Sequence, residues 1–407
     1  MTAWIPWVLA ALAPLAIAAG CAPSLKQREG AAQDALDELA DSRFDEAGDA
    51  AARVLEHDDG NPYAAAVAAI AQYKEVMHDL VNDVITVVVG AAATGHVNER
   101  YVQKAFSGAE ADLAKIDALL AVAAAEPDLA VELCVACLEV DWNRNGEIDE
   151  ADRALLEVEI DEDERPIPEG DPRRRPTFRF DHGDFLWART FVAFQRAALD
   201  LAMAYEWSDI VSAARFERSD FRIRLADKAR VAAAKRRILE ALDLSDRSRE
   251  AYLAETDDDR EWLPNPRQED HPMPMPVDEA LYRTWEDVVG DARRLVRSVE
   301  GLSVTELAQL GDRQWKNPPR GYIDLGSLLD DPHDIVIRGT TLDEIEDAVD
   351  DGNRRAVETA LDGILGSAYV RKMPKSPLPS RLARMQREIE HGAESMGRKL
   401  RYLLWIN

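Results

Sequence analysis

Apolar residues recur along most of this chain at intervals of three and four, the spacing that lines one face of an α-helix. The first such stripe runs from Ala35, Leu36 and Leu39 through Phe44 and Ala47 to Val54 and Leu55. It stops at Asp58-Asp59-Gly60-Asn61-Pro62, where a helix breaker meets a fresh helix start. The next stripe begins at Pro62 and continues past Tyr73 through 76–89. Further stripes predict helices over 99–124, 128–140, 184–207, 222–254, 278–299, 354–364 and 380–404. Proline-rich breaks at 165–176, 264–276 and 374–379 separate some of them, and 318–337, poor in periodic apolars, is expected to wrap the surface. Strand-like alternation is confined to 177–180. The pattern predicts an all-α fold, a bundle of helical hairpins with irregular Pro-rich connections.

The N-terminus has a different character. Trp4 to Ala19 is an apolar run without a charge, the length of a signal-peptide core and short for a membrane span. It ends Ile17-Ala18-Ala19-Gly20-Cys21. That ending resembles the lipobox of bacterial lipoproteins, although Ala18 stands where Leu is commoner and the three residues before Trp4 carry no Lys or Arg. The resemblance implies cleavage after residue 20, acylation of Cys21 and a membrane contact through the lipid. Ala22 follows in place of the Asp that retains such proteins at the inner membrane, which implies the outer membrane of a bacterial envelope. The expected organisation is a signal peptide over 1–20, a tether over 21–27, and helical regions over 28–210 and 211–407 that a single domain can equally contain.

Composition narrows the partners. Acidic side chains number 77 against 49 basic ones, a formal net charge of −28 over 407 residues. Such a surface repels phosphate backbones, so no nucleic-acid partner is expected. The hydrophobic fraction of 46% is enough for a core. Three cysteines, Cys21, Cys134 and Cys137, are too few for a disulfide scaffold.

The strongest chemical signal is Asp141-Trp142-Asn143-Arg144-Asn145-Gly146-Glu147-Ile148-Asp149-Glu150-Ala151-Asp152. Calcium takes six to eight oxygens in flexible geometry. Asp141, Asn143, Asn145, Asp149 and Asp152 place side-chain oxygens at loop positions one, three, five, nine and twelve, and Glu147 offers its carbonyl at seven. Gly146 stands where the loop must turn sharply. This resembles an EF-hand loop and, with Asp at twelve, most closely its dockerin version, although no second loop follows. The resemblance implies one calcium ion that pins two helices together.

Other motifs have plainer readings. Residues 34–58 resemble one tetratricopeptide hairpin, with Ala35 at the small position, Phe44-Asp45-Glu46-Ala47 opening the second helix and Asp58 closing it. No repeat follows, so a hairpin suffices and an array is not expected. Cys134 and Cys137 fall inside a predicted helix, which favours core packing over a local disulfide and both over redox chemistry. Asp181-His182-Gly183-Asp184 can supply His and carboxylates to a metal, yet Asp184 capping the helix that starts at Phe185 is the simpler reading. Arg173-Arg174-Arg175 is expected to neutralise the acidic stretch before it, and Trp187, Phe191 and Phe194 to belong to the core. No complete catalytic constellation appears.

The function these features favour is a calcium-binding, non-enzymatic envelope lipoprotein that acts as scaffold or binding module. Two alternatives stand beside it: a metal-dependent envelope hydrolase using His182 with Asp181 or Asp184, and a subunit of an envelope transport or secretion assembly docked through the hairpin to a protein partner.

Overall fold

The computed structural model describes residues 23–141, 146–149, 152, 157–161, 165–207, 221–256, 260–268, 278–310, 315, 317–337 and 342–390. Cys21, Asn143 and Asn145 lie outside them, as does the predicted signal peptide.

The fold is all-α, as the periodicity predicts. Helix α1 (Leu25–Ala40) and α2 (Phe44–Leu55) form an antiparallel pair against α3 (Pro62–Thr94), and α4 (Glu99–Ala123) returns along α3. Ala32, Ala35, Ala47 and the run Ala64–Ala69 are buried at the crossing, where small side chains let the backbones approach closely. Asn61 fixes this corner. Its Oδ1 accepts from the Ala64 N–H at 3.1 Å and its Nδ2 donates to the Arg28 carbonyl at 2.9 Å, while Pro62 supplies the first helical residue. The predicted hairpin is therefore present, continued by a third helix.

Two long helices follow, α5 (His182–Ala204) and α6 (Lys228–Ala254), packed together along their length, with α5 also against α4. Ion pairs tie the three. Buried Asp200 of α5 receives Arg230 at 3.1 Å and Arg237, and Arg237 also reaches Glu110 of α4 at 2.7 Å. Helix α7 (Glu279–Val296) packs on α6. The remaining described helices are short: α8 (Val304–Leu310), α9 (Leu325–Asp330), α10 (Leu342–Asp350), α11 (Arg354–Leu365) and α12 (Leu378–Glu390).

Small antiparallel pairings stitch the loops. β1 (Val131–Leu133) pairs with β2 (Phe178–Phe180), β3 (Phe221–Ile223) with β6 (Ile335–Ile337), and β5 (Tyr322–Ile323) with both β4 (Leu302–Ser303) and β7 (Tyr369–Val370).

Three readings need correction. The helix expected over 222–254 starts at Lys228, and residues 222–223 lie in β3. The helix expected over 128–140 is instead β1 followed by a single 3-10 turn, Val135–Cys137. Val131 and Leu133 are buried and Glu132 is exposed, a two-residue alternation satisfied by pairing with β2. Residues 318–337, expected to be an irregular wrap, hold β5, α9 and β6.

Helix α3 has one unusual stretch. Its first half is buried, but Val81, Val84, Ile85, Val88 and Val89 are between 42% and 60% exposed. By length and composition α3 is apolar enough to cross a membrane.

Candidate functional site

The start of α5 is the most constrained point in the molecule. Asp181 ends the extended segment from β2 and is the N-cap: its Oδ1 accepts the Gly183 N–H at 2.8 Å, and Asp184 accepts the Asp181 N–H at 3.0 Å. This is a reciprocal capping box. The cap is therefore Asp181, three residues before the position the sequence suggests, because Asp184 already has helical geometry and bonds backwards. Gly183 is pressed on the buried Tyr252 ring of α6, and a Cβ there would lie 2.7 Å from a ring carbon. Tyr252 donates to Asp184 Oδ1 at 2.7 Å and Ser248 to the Gly183 carbonyl at 2.9 Å.

Behind this turn the carboxylates converge. Asp181, Asp184 and Glu261 are all buried and present ligand-type atoms within 4.8 Å of one another. Glu261 arrives from the chain beyond α6, where Asn265 donates to the carbonyls of Tyr252, Leu253 and Glu255 and so closes that helix. Arg179 provides the counter-charge, 3.0 Å from Glu261 and 3.8 Å from Asp181. Burial, reinforced by the Asp181 charge, holds the Asp184 carboxyl well above the usual range. Burial likewise pushes Glu255 up to about 10, with the charges of Asp181 and Glu261 adding to it. Tyr252 is raised by burial and by Asp184. Among the described residues this is the one grouping of three or more such ligand atoms, and His182 is not a member. The carboxylates of the Asp181–Asp184 motif thus meet, without the histidine between them.

Asp184 also reaches the wall of a half-open cavity of about 500 Å³. The cavity lies between α3 (Ile70, Tyr73, Met77), α4 (Ile116, Leu120), the segment from Val131 to Val140, and α5 (Trp187, Ala188, Phe191). Its size falls in the roughly 300–1,000 Å³ range of small-molecule sites, which are mostly apolar with few polar groups. The charged side chains in its lining are Lys74, paired with Glu75 at 2.6 Å, and Asp184, which its environment biases to the neutral acid. Trp187 and Phe191, expected in the core, are half-buried cavity walls, and Phe194 is 38% exposed.

The predicted calcium loop is described in part. Gly146 has φ +89, the left-handed conformation that glycine tolerates, and donates its N–H to Asp141 Oδ2 at 2.8 Å. Asp149 and Asp152 exchange backbone-to-carboxylate bonds of 3.1 and 3.2 Å, the reciprocal pattern of a helix start. A loop folded back on its first Asp, with a left-handed glycine at six and a capped exit, is compatible with the predicted donor order. It is entered, however, from extended residues after a 3-10 turn and not from a helix.

Cys134 and Cys137 form a disulfide bridging that turn, rather than packing as free thiols in a helix. Arg174 and Arg175 pair with Glu157 at 2.9 and 2.8 Å, and Arg173 with Asp171 at 2.7 Å, the neutralisation expected of this basic triplet.

The sequence did not reveal Glu255, Glu261 or the cavity. Glu255 and Glu261 flank Asp257-Asp258-Asp259, a charge run that reads as solvated surface. The one available signal was the Ile70, Tyr73, Met77 stripe on α3, which reads equally well as core. No protein-family model matches the chain, and no curated protein or solved structure does either.

Proposed function

We propose that this protein is a non-enzymatic binding module of the bacterial envelope, anchored by lipid on Cys21, whose apolar cavity holds an apolar small molecule. The observation that carries this reading is a half-open cavity of about 500 Å³ lined almost entirely by apolar side chains. Apolar surface removed from water contributes roughly 25 cal/mol per Å², so such a lining favours hydrocarbon over a polar solute. Calcium at Asp141, Asn143, Asn145, Glu147, Asp149 and Asp152 has a structural part in this proposal. The loop continues directly from Val140, a cavity-wall residue, so an ion there stiffens the wall.

The neutral fluorescent probe N-phenyl-1-naphthylamine tests the cavity. Saturable binding by the full-length protein, lost in Ala188→Phe and Leu138→Phe with circular dichroism unchanged, is the expected result. A folded wild type that shows no saturable binding overturns the reading. Calcium has a separate test: millimolar calcium should raise the melting temperature of wild type and not of Asp141→Ala.

One observation favours a second reading, a subunit of an envelope assembly. A groove of about 970 Å³ between α2, α3 and α4 includes the small residues Gly48, Ala52, Ala105 and Gly108 and carries six carboxylates, from all three helices, against two lysines, Lys104 and Lys115. A basic helix fits that shape and charge. Recovery of a stoichiometric partner from detergent-solubilised envelopes, lost on Gly48→Trp, would support it over the first.

A further inference from the structure

The exposed apolar stripe of α3 has an explanation in the cavity beside it. Ile70 and Met77 line the cavity, and Val81, Val84, Ile85 and Val88 are exposed beyond it. Successive members of this set stand seven, four, three, one and three residues apart, spacings that keep them on one face of the helix. One face of α3 therefore carries apolar side chains from the cavity out along the surface, with Lys74 as the charged residue among them and Gln195 donating to Met77 Sδ at 3.6 Å where the two parts meet.

Three observations identify what covers the outer part. The first is charge: residues 84–98 hold no Lys, Arg, Asp or Glu, in a chain whose net charge is −28. A protein partner of ordinary polarity would find no ion pair to make there. The second is dimension. From Val81 to Ala92 the helix rises about 16 Å, close to one leaflet of a hydrocarbon core roughly 30 Å thick. The third is area. Five partly exposed Val and Ile side chains fall far short of the roughly 800 Å² per partner that a stable protein interface buries, so a second copy of this chain is poorly served by them.

We infer that the exposed end of α3 enters the hydrocarbon of a zwitterionic bilayer and delivers to the cavity an acyl-chain amphiphile drawn from that bilayer. The inference rests on the cavity reading above and gives it a ligand class: a single-chain lipid with an uncharged or zwitterionic head, since an acidic body disfavours anionic surfaces. The acyl chain passes along Val88, Ile85, Val84 and Val81 to Met77 and Ile70, with Gln195 and Lys74 as the polar groups beside that path. No covalent step is involved.

The test compares two formats with radiolabelled monooleoylglycerol and full-length protein. In the first, the lipid is dispersed in solution below its aggregation limit and the affinity is measured. In the second, it is carried in phosphatidylcholine vesicles and the rate of transfer to protein is measured. Val84→Asp and Val88→Asp place a charge on the outer track without touching the cavity wall. Each is expected to slow extraction about tenfold, since a carboxylate is strongly disfavoured in hydrocarbon. Solution affinity is expected to stay within about twofold, because the cavity is untouched.

Equal extraction rates in wild type and both variants overturn the inference. Uptake of dispersed lipid with no extraction from vesicles also overturns it and leaves the cavity reading standing. Uptake in neither format overturns the cavity reading itself. A dimer in sedimentation of the wild type that both aspartates abolish would assign the stripe to a second copy and overturn the bilayer contact.

Discussion

Replacing Glu255 by Gln tests the electrostatics at the start of α5 most directly. The Glu255 carboxyl is half-buried beside Asp181 and Glu261, where Arg179 is the nearby cation, and its pKa rises from 4.5 to about 10. A folded-state pKa above the unfolded value means that the folded protein holds the proton more tightly. The stabilising contribution is therefore complete below about pH 4.5 and is lost progressively as pH climbs toward 10. At about pH 8 the unscreened loss, at about 1.36 kcal/mol per unit, would approach 5 kcal/mol. Solvent reaches part of this side chain, which reduces the figure to about 2 kcal/mol. Gln is nearly isosteric with the neutral acid and does not titrate. Glu255→Gln should match wild type near pH 4.5 and exceed it by about 2 kcal/mol near pH 8 in urea unfolding followed by far-ultraviolet circular dichroism. A gap of the same size at both pH values, or a variant less stable than wild type near pH 8, would refute the argument.

Three further outcomes follow from the same packing. Gly183→Ala drives a methyl group into the Tyr252 ring, which is fully buried and cannot yield, so a loss of about 1–3 kcal/mol is expected from the urea midpoint. Asn61→Ala removes the α3 cap and the bond to the Arg28 carbonyl together, for a loss of about 2 kcal/mol by the same assay. Asp200→Ala leaves Arg230 and Arg237 without their buried carboxylate, and a cost of about 3 kcal/mol should appear, partly relieved by Arg237→Met in the double variant.

How far the fold was legible depended on the range of the interactions that decide each element. Helices α3 to α7 and α11 announce themselves because their burial repeats locally, turn after turn, and α3, α4, α7 and α11 also begin at Asn61, Asn98, Asp278 and Asn353, residues that favour the cap. The start of α6 at Asp227 lies five residues beyond the predicted one, which falls inside β3. The segment 131–140 misled because Val131, Leu133, Val135, Leu138 and Val140 include pairs at helical spacing. What decides its conformation is β2, 47 residues away from Val131 to Phe178, and a pairing of three residues leaves almost no local trace. The Asp181–Asp184 motif was found, and its register was misassigned, because both aspartates are chemically suited to be caps. Backbone geometry, not residue type, separates them. The cavity was illegible for a related reason. Its walls come from six stretches of chain, from Phe44 to Trp262, none of which by itself reads as anything but a buried face.

The stretch from β1 to the predicted calcium loop connects these observations. Val131, Leu133, Val135, Leu138 and Val140 all face the cavity within ten residues, although only Val131 and Leu133 belong to a strand. A segment with so little regular structure loses much conformational entropy when it is held in one shape. Three constraints offset that loss: pairing with β2 at one end, the Cys134–Cys137 bridge across the turn in the middle, and the fold-back of Gly146 onto Asp141 at the other end. The constraints alternate with the cavity-facing residues along the chain. That placement accounts for a cavity wall made without a helix.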